Sequence, residues 1–232
     1  MIISKKNLTD IMTASKNISN EVCIDADDER LMIQAVDPAH VAMMSLSIPH
    51  DEYQADVPVK MQVDTKIILD SIKMCDKDDN VNMSINEGHI TIQAGRYTRM
   101  TPEIDEANVP AIPPIEMPIS FSVDSSLIRD AIKASASVSD VFRIECDDTD
   151  NIRIHSEQAD GRESMSVSVP ISESTHIPGR GNYPLDYVKD IFSAVSGRVE
   201  MSFNSDYPAK VEASICDTGK IMFILAPRIE ND

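Results

Sequence analysis

Carboxylates are the most abundant groups here that could do chemistry. The chain has 39 Asp and Glu against 21 Lys and Arg, a formal net charge of −18 over 232 residues. General acid–base catalysis needs two such groups held at a fixed spacing in one site, and no pair is singled out by position. Cys23, Cys75, Cys146 and Cys216 are scattered with no C-x-x-C pair. Neither a metal site nor a disulfide framework is indicated, and buried thiols in a reducing cytosol are expected. The run 147–151, DDTDN, hints at a calcium loop but lacks the glycine and the later glutamate. It reads as a turn between strands. Gly179-Arg180-Gly181 is too short for a phosphate loop, and there is no Walker loop, G-x-S-x-G or H-E-x-x-H. No catalytic residue, metal or cofactor is expected.

The other chemistry available is cationic. Residues 7–19 carry Leu8, Ile11, Met12, Ser15 and Ile18 at the helical period, and 127–138 repeat it with Ile128, Ala131, Ile132 and Val138. Asp64-Thr65 and Pro184 stand where helix starts are expected, ahead of the apolar-periodic runs 65–74 and 185–195. Turning each helix at 100° per residue places Lys6 and Lys16 on the solvent face of the first, with Thr9 and Thr13. Lys66, Lys73 and Lys77 lie opposite Ile68 and Ile72 of the second. Arg129 and Lys133 lie opposite Ile128 and Ile132 of the third, and Lys189 lies away from Val188 and Phe192 of the fourth. Asp10, Asp70, Asp130, Asp186 and Asp190 share these faces. Such a mixed face suits an ordinary solvated helix as well as a phosphate-contacting one, and the residues alone leave both readings open.

The elements that carry these helices repeat. Residues 8–28 align without a gap on 128–148, with Asp10, Ala14, Ser15, Ser19, Asp27 and Asp28 recurring as Asp130, Ala134, Ser135, Ser139, Asp147 and Asp148. Residues 63–72 lie over 183–192, sharing Asp70 and Asp190. Long-period self-similarity is a statement about fold. Short alternating stretches, such as 31–33, 41–48, 81–85, 165–169 and 199–203, fill the space between helices and are separated by turn residues. The expected fold is α+β: two similar domains of antiparallel sheet with two helices each, at 1–104 and 119–232. Residues 105–118 hold four of the thirteen prolines and read as a stiff, extended connector. With 4% aromatic residues and no Trp, the cores are expected from Ile, Val, Leu, Met and Ala. Neither a secretory leader nor an apolar run long enough for a membrane is read, which points to the cytoplasm.

Three stretches resemble the sliding DNA clamp family of the proliferating-cell-nuclear-antigen type, and look more like its archaeal members. They are 31–49 (LMIQAVDPAHVAMMSLSIP), the ending 221–230 (IMFILAPRIE), and the connector with its Ile112-Pro113 step. The resemblance implies a non-enzymatic processivity factor and docking platform for replication and repair. It implies a closed homotrimeric ring, nucleoid-associated, that encircles duplex DNA without reading bases. A clamp loader would open the ring, and DNA polymerase, flap endonuclease and DNA ligase would dock through short peptide motifs. It assigns the helix cations above to DNA. It assigns His40, Val41 and Met43, roofed by Ile112 and Pro113, with Pro208, Ile224, Ala226 and Pro227 as floor and end, to the peptide groove. Met43 replaces a usually branched aliphatic, and Ile224 stands where many members place an aromatic. The ring contact would pair the strand of Tyr97 and Arg99 with the next subunit's strand of Met165 and Val167. An acidic chain is a poor DNA ligand overall, but salt limits each charge to about 8 Å, so local helix faces decide. A heterotrimeric ring, or an acidic α+β enzyme with a carboxylate site, are the alternatives.

Overall fold

The computed structural model describes residues 1–104, 115–147 and 149–228. The chain divides into two compact units, Met1–Ala111 with Ser214–Ile221, and Ile112–Ala213 with Met222–Asp232. Most of the connector expected at 105–118 lies outside the described residues, including Ile112 and Pro113. Residues 115–118 have no regular structure.

In the first unit, β1 (Ile2–Ser4) leads into α1 (Lys5–Lys16), then β2 (Glu21–Ala26), β3 (Arg30–Val36), β4 (Ala42–Pro49), a short 3-10 turn (His50–Glu52), β5 (Tyr53–Gln54) and β6 (Val59–Asp64). The helix α2 (Thr65–Ile72) and β7 (Asn80–Asn86), β8 (His89–Ala94) and β9 (Tyr97–Pro102) follow. The second half of the chain repeats the plan with β10 (Ile119–Asp124), α3 (Ser125–Ser135), β11 (Val141–Cys146), β12 (Asn151–Glu157), β13 (Ser164–Pro170), β14 (Gly179–Pro184), α4 (Leu185–Ala194), β15 (Arg198–Phe203), β16 (Ala209–Ile215) and β17 (Gly219–Leu225). The strands pair as β5-β1-β7-β8-β9 and β4-β3-β2-β6 in the first unit, and as β10-β15-β16-β17 and β13-β12-β11-β14 in the second. Setting β5 aside, each strand has a counterpart at the same place in the other unit. The duplication read from the sequence is therefore a duplication of topology, and the fold is α+β with antiparallel sheets.

Local chemistry starts the helices where it should. The Ser4 side chain caps α1 by accepting from Asn7 N at 3.1 Å, Asp64 caps α2 through Lys66 N at 2.7 Å, and Asp124 caps α3 through Ser126 N at 2.8 Å. Each such cap is worth about 1 kcal/mol. Pro184 precedes α4 with φ −63°, already preset for a helix entry, though no side chain caps it. Helix α1 packs against α2 and α3 against α4, burying Leu8, Ile11 and Met12, Ile68 and Ile72, Ile128 and Ile132, and Val188, Ile191 and Phe192.

The cores are filled differently. All five phenylalanines, at 121, 142, 192, 203 and 223, are fully buried in the second unit, where Phe121 meets Phe203 edge to face at 6.5 Å. The first unit has none and buries Met1, Met12, Met44, Met61 and Met83. The expected aliphatic core holds for the first unit and is corrected for the second, consistent with cores that tolerate exchange at constant volume.

Candidate functional site

The four helices and the C-cap Lys73 carry Lys5, Lys6, Lys16, Lys66, Lys73, Arg129, Lys133 and Lys189 against Asp10, Asp70, Asp130, Asp186 and Asp190. These elements hold eight of the chain's 21 basic residues and five of its 39 acidic ones. Basic charge is concentrated there while the rest of the surface is acidic. Lys6, Lys16, Lys66, Lys133 and Lys189 are exposed on their helices, whereas Lys73 and Lys77, expected on the second helix, are exposed beyond its end, because α2 stops at Ile72.

Several are already paired. Lys73 Nζ donates to Asp70 at 2.6 Å and Lys133 Nζ to Asp130 at 2.9 Å, one turn apart in each case. Lys6 stands 3.9 Å from both Asp10 and Asp217. The Lys73 hydrogen bond holds the Asp70 carboxyl below its ordinary range. Asp190 goes the other way. Its burial raises it despite the pull of Lys189, with Asp186 adding like-charge repulsion. Exposed pairs of this kind contribute little net stability, so a phosphate can displace the carboxylate at little cost. Among the described residues, Lys16, Lys66, Lys77 and Lys189 make no ion pair.

Arg129 is occupied differently. It is half-buried, and its Nη1 donates to Phe192 O at 3.2 Å, Val195 O at 3.0 Å and Ser125 Oγ at 3.1 Å. Two of these are carbonyls at the C-terminal end of α4, where a cation satisfies groups that have no partner inside the helix. Lys5 does the same in the first unit, with Nζ donating to Cys75 O beyond the end of α2. In each unit, a basic residue of the first helix thus clasps the end of the second. That role was invisible in the helical wheel, which gave Arg129 only an outward direction.

The residues assigned to ring contact fall on free strand edges. Tyr97 and Arg99 lie on β9, the last strand of its sheet, and Met165 and Val167 lie on β13, also terminal. Met100 on β9 is 67% exposed. Arg99 also helps hold the Asp70 carboxyl low. Arg96 stacks over the Tyr97 ring at 5.3 Å. Unpaired edges with exposed apolar residues invite another chain.

The groove residues divide between the units. In the first, the buried Asp37 accepts from Ala39 N at 2.9 Å and from Val41 N and Ala42 N at 2.6 Å. This carboxylate folds the loop between β3 and β4. His40 takes a left-handed φ of 58° there and is exposed, while Val41 and Met43 are half-buried. In the second unit, Pro208, Ala226 and Pro227 are half-buried and Ile224 is buried. Arg228 pins this end of the chain, with Nη1 2.6 Å from Asp140 and N donating to Asn182 O at 2.7 Å. The Arg228 hydrogen bond holds the Asp140 carboxyl low. Tyr207, beside Pro208, is 49% exposed and was not read from the sequence. An exposed aromatic next to a proline after a strand is the only cue the sequence offered.

Burial pushes the thiols of Cys146 and Cys216 up to about 12, so these two stay protonated near neutral pH. A 430 Å³ cavity lies in the first unit among Cys23, Lys60, Gln62, Gly88 and Glu103. Among the described residues, no three His, Cys, Asp or Glu converge as metal ligands, and no helix is long and apolar enough to cross a membrane.

Residues 4–95 match the N-terminal domain of proliferating cell nuclear antigen. A DNA polymerase sliding clamp from Methanobrevibacter smithii is 29% identical over 229 residues, covering 94% of this chain and 93% of its own length. Another from Methanosarcina barkeri is 29% identical over 251 residues, covering 99% and 98%. Among solved structures, PCNA of A. fulgidus bound to the C-terminal region of FEN-1 superposes with a TM-score of 0.87 at 24% identity, covering 100% of this chain and 98% of that one. The PCNA2–PCNA3 complex of Sulfolobus tokodaii gives 0.81 at 20% identity, covering 99% of each chain. These two likenesses speak to the fold.

Proposed function

We propose that this chain is a DNA polymerase sliding clamp of the proliferating cell nuclear antigen family, and that it encircles duplex DNA and tethers replication and repair proteins to it. It catalyses nothing. One observation carries the reading: two units of the same topology each present a helix pair where scarce basic residues gather, on a chain that is otherwise acidic.

Three copies close the ring, with β9 of one adding to β13 of the next. A head-to-tail contact of this kind closes when its rotation fits. The helix pairs then face the duplex. Lys16, Lys66, Lys77 and Lys189 touch phosphates directly, and Lys6, Lys73 and Lys133 do so by exchanging their aspartates. Arg129 holds the helix pair in place. Such contacts read no bases and release counterions, so the ring slides, and retention comes from closure. The apolar positions Pro208, Ile224, Ala226 and Pro227 of the second unit receive a short partner segment, as in the helix-in-groove mode. The FEN-1 segment on the A. fulgidus protein supports this, and makes a flap endonuclease the first partner to test. Polymerase, clamp loader and ligase are expected on the same surface.

Light scattering tests assembly: about three times 25.6 kDa is expected, and a monomer counts against the ring. Processive synthesis by a polymerase on primed circular DNA tests the function. It should be lost when Pro227 is replaced by Glu. A mixed ring is the second reading, because the Sulfolobus tokodaii neighbour is a PCNA2–PCNA3 complex. In that case this chain alone stays below trimer mass until a paralogue is added.

A further inference from the structure

The tip of the hairpin between β16 and β17 lies within Ser214–Ile221, which belongs to the first unit. One carboxylate fastens it there. Glu52, at the end of the 3-10 turn, accepts from Thr218 N at 2.5 Å, from the Thr218 hydroxyl, and from Asp217 N at 3.4 Å. Its Oε2 also accepts from Asn7 Nδ2 of α1 at 2.8 Å. Asn7 is 45 residues from Glu52 along the chain and Thr218 is 166, so one side chain ties three distant segments together. Burial pushes the Glu52 carboxyl up, but the Thr218, Asp217 and Gly219 donors outweigh it and hold it below its ordinary 4.5. Cys216, in the same tip, takes a left-handed φ of 56°. A non-glycine residue keeps that conformation where its surroundings over-determine it.

The tip delivers a charge. Asp217 stands 3.9 Å from Lys6, and its side chain is 84% exposed. Asp10, one turn along α1, stands 3.9 Å from the same ammonium. Lys6 thus faces two carboxylates, whereas Lys73 and Lys133 each hydrogen-bond to one. The second carboxylate also differs in origin. Asp10, Asp70 and Asp130 lie three or four residues from the lysines they meet and move with them. Asp217 reaches Lys6 from another element, and its backbone N–H is bonded to Glu52. A screening length of about 8 Å leaves Asp217 within range of any phosphate that Lys6 contacts.

We infer that Glu52 is a positioning residue that latches the hairpin tip against α1, so that Asp217 restrains the contact between Lys6 and DNA phosphate. This rests on the reading, proposed above, that the helix cations face the duplex. Asp217 acts in two ways. It neutralises the ammonium, and it repels the phosphate that would replace it. The restraint keeps one contact weak, which suits a ring that slides, and freeing the tip adds that contact.

The test uses the full-length protein and a short fluorescein-labelled duplex, with binding read by fluorescence anisotropy at several KCl concentrations. Asp217→Asn should tighten binding about fivefold near 0.1 M salt and steepen the slope of log K against log salt by about 1, as one added phosphate contact requires. Glu52→Gln should reproduce both changes with far-UV circular dichroism intact, and should add nothing to Asp217→Asn. Thr218→Val deletes one latch donor, should give a smaller gain in the same direction, and serves where Glu52→Gln does not fold. On a Lys6→Gln background none of these changes should have an effect. If Asp217→Asn binds within about twofold of the parent at an unchanged slope, while Lys16→Gln lowers the slope, the restraint is overturned and the DNA-facing reading stands. A gain that persists on the Lys6→Gln background overturns it too, because removal of any negative charge then explains the result. If Asp217→Asn gains but Glu52→Gln and Thr218→Val do not, the role of Glu52 is overturned. If Lys16→Gln also leaves the slope unchanged, the DNA-facing reading falls and the inference with it.

Discussion

Two basic residues with the same helical-wheel address do different work, and what decides is whether a carbonyl lies within reach. Arg129 meets the last carbonyls of α4, whereas Lys189 is exposed and pulls on the Asp190 carboxyl only through its field. Arg129→Met should therefore cost about 1–3 kcal/mol of stability, because it leaves partly buried acceptors unpaired. It should leave the salt dependence of DNA binding unchanged. Lys16→Gln and Lys189→Gln should do the opposite, each lowering the slope of log K against log salt by about 1 with no change in melting temperature. Titration of binding to a short duplex, alongside thermal melting, separates the two classes. Asp140 adds a pH dependence. Its carboxyl is held below its ordinary 3.8 by Arg228, so the pairing is intact above that value and lost as the pH falls through the lower folded one. Exchange of the Arg228 amide should accelerate below pH 3.8, and Asp140→Asn should show fast exchange at every pH.

At the scale of elements, the proposed assembly rests on the two terminal strands β9 and β13. Met100 is exposed on β9 and has no core to support. Met100→Asp should leave far-UV circular dichroism intact while light scattering falls from three copies to one. A trimer that persists would place the contact elsewhere. One of these edges was legible in advance, because 165–169 alternates as a strand does, whereas the strand of Tyr97 and Arg99 came only with the family resemblance. The four helices were legible too, since period and caps agree at Asp64 and Pro184. Several strands were not, β1, β10 and β14 among them. β1 is three residues long and β10 follows the proline-rich stretch, so neither shows a period. In β14, two glycines and a proline spell a turn, yet Gly181 is there because a Cβ would lie 2.5 Å from the Tyr183 hydroxyl. The aspartate partners of Lys73 and Lys133 were visible as neighbours. The Arg129 clasp was not, because its acceptors lie 63 and 66 residues away.

For the whole molecule, the two signs of charge predict opposite responses to salt. A net charge of −18 repels itself, and that repulsion opposes compaction. Raising KCl from 0.1 M to 1 M shortens the screening length from about 10 Å to about 3 Å, so melting temperature should rise. Contacts between helix lysines and phosphates should weaken over the same range, since counterion release loses its driving force. These trends cross, and topology determines which one the DNA experiences. On linear duplex, a ring held by weak contacts slides off, and retention should fall with salt. On nicked circular duplex, escape needs a subunit interface to part. In the proposed ring that interface is strand-paired, with Arg99 its one assigned charge, so screening weakens it little. Gel filtration after loading should therefore show a salt-resistant complex on circles and a salt-sensitive one on linear DNA, with the difference abolished by Met100→Asp. Equal loss from both would mean that the helix contacts, and not closure, hold the protein on DNA.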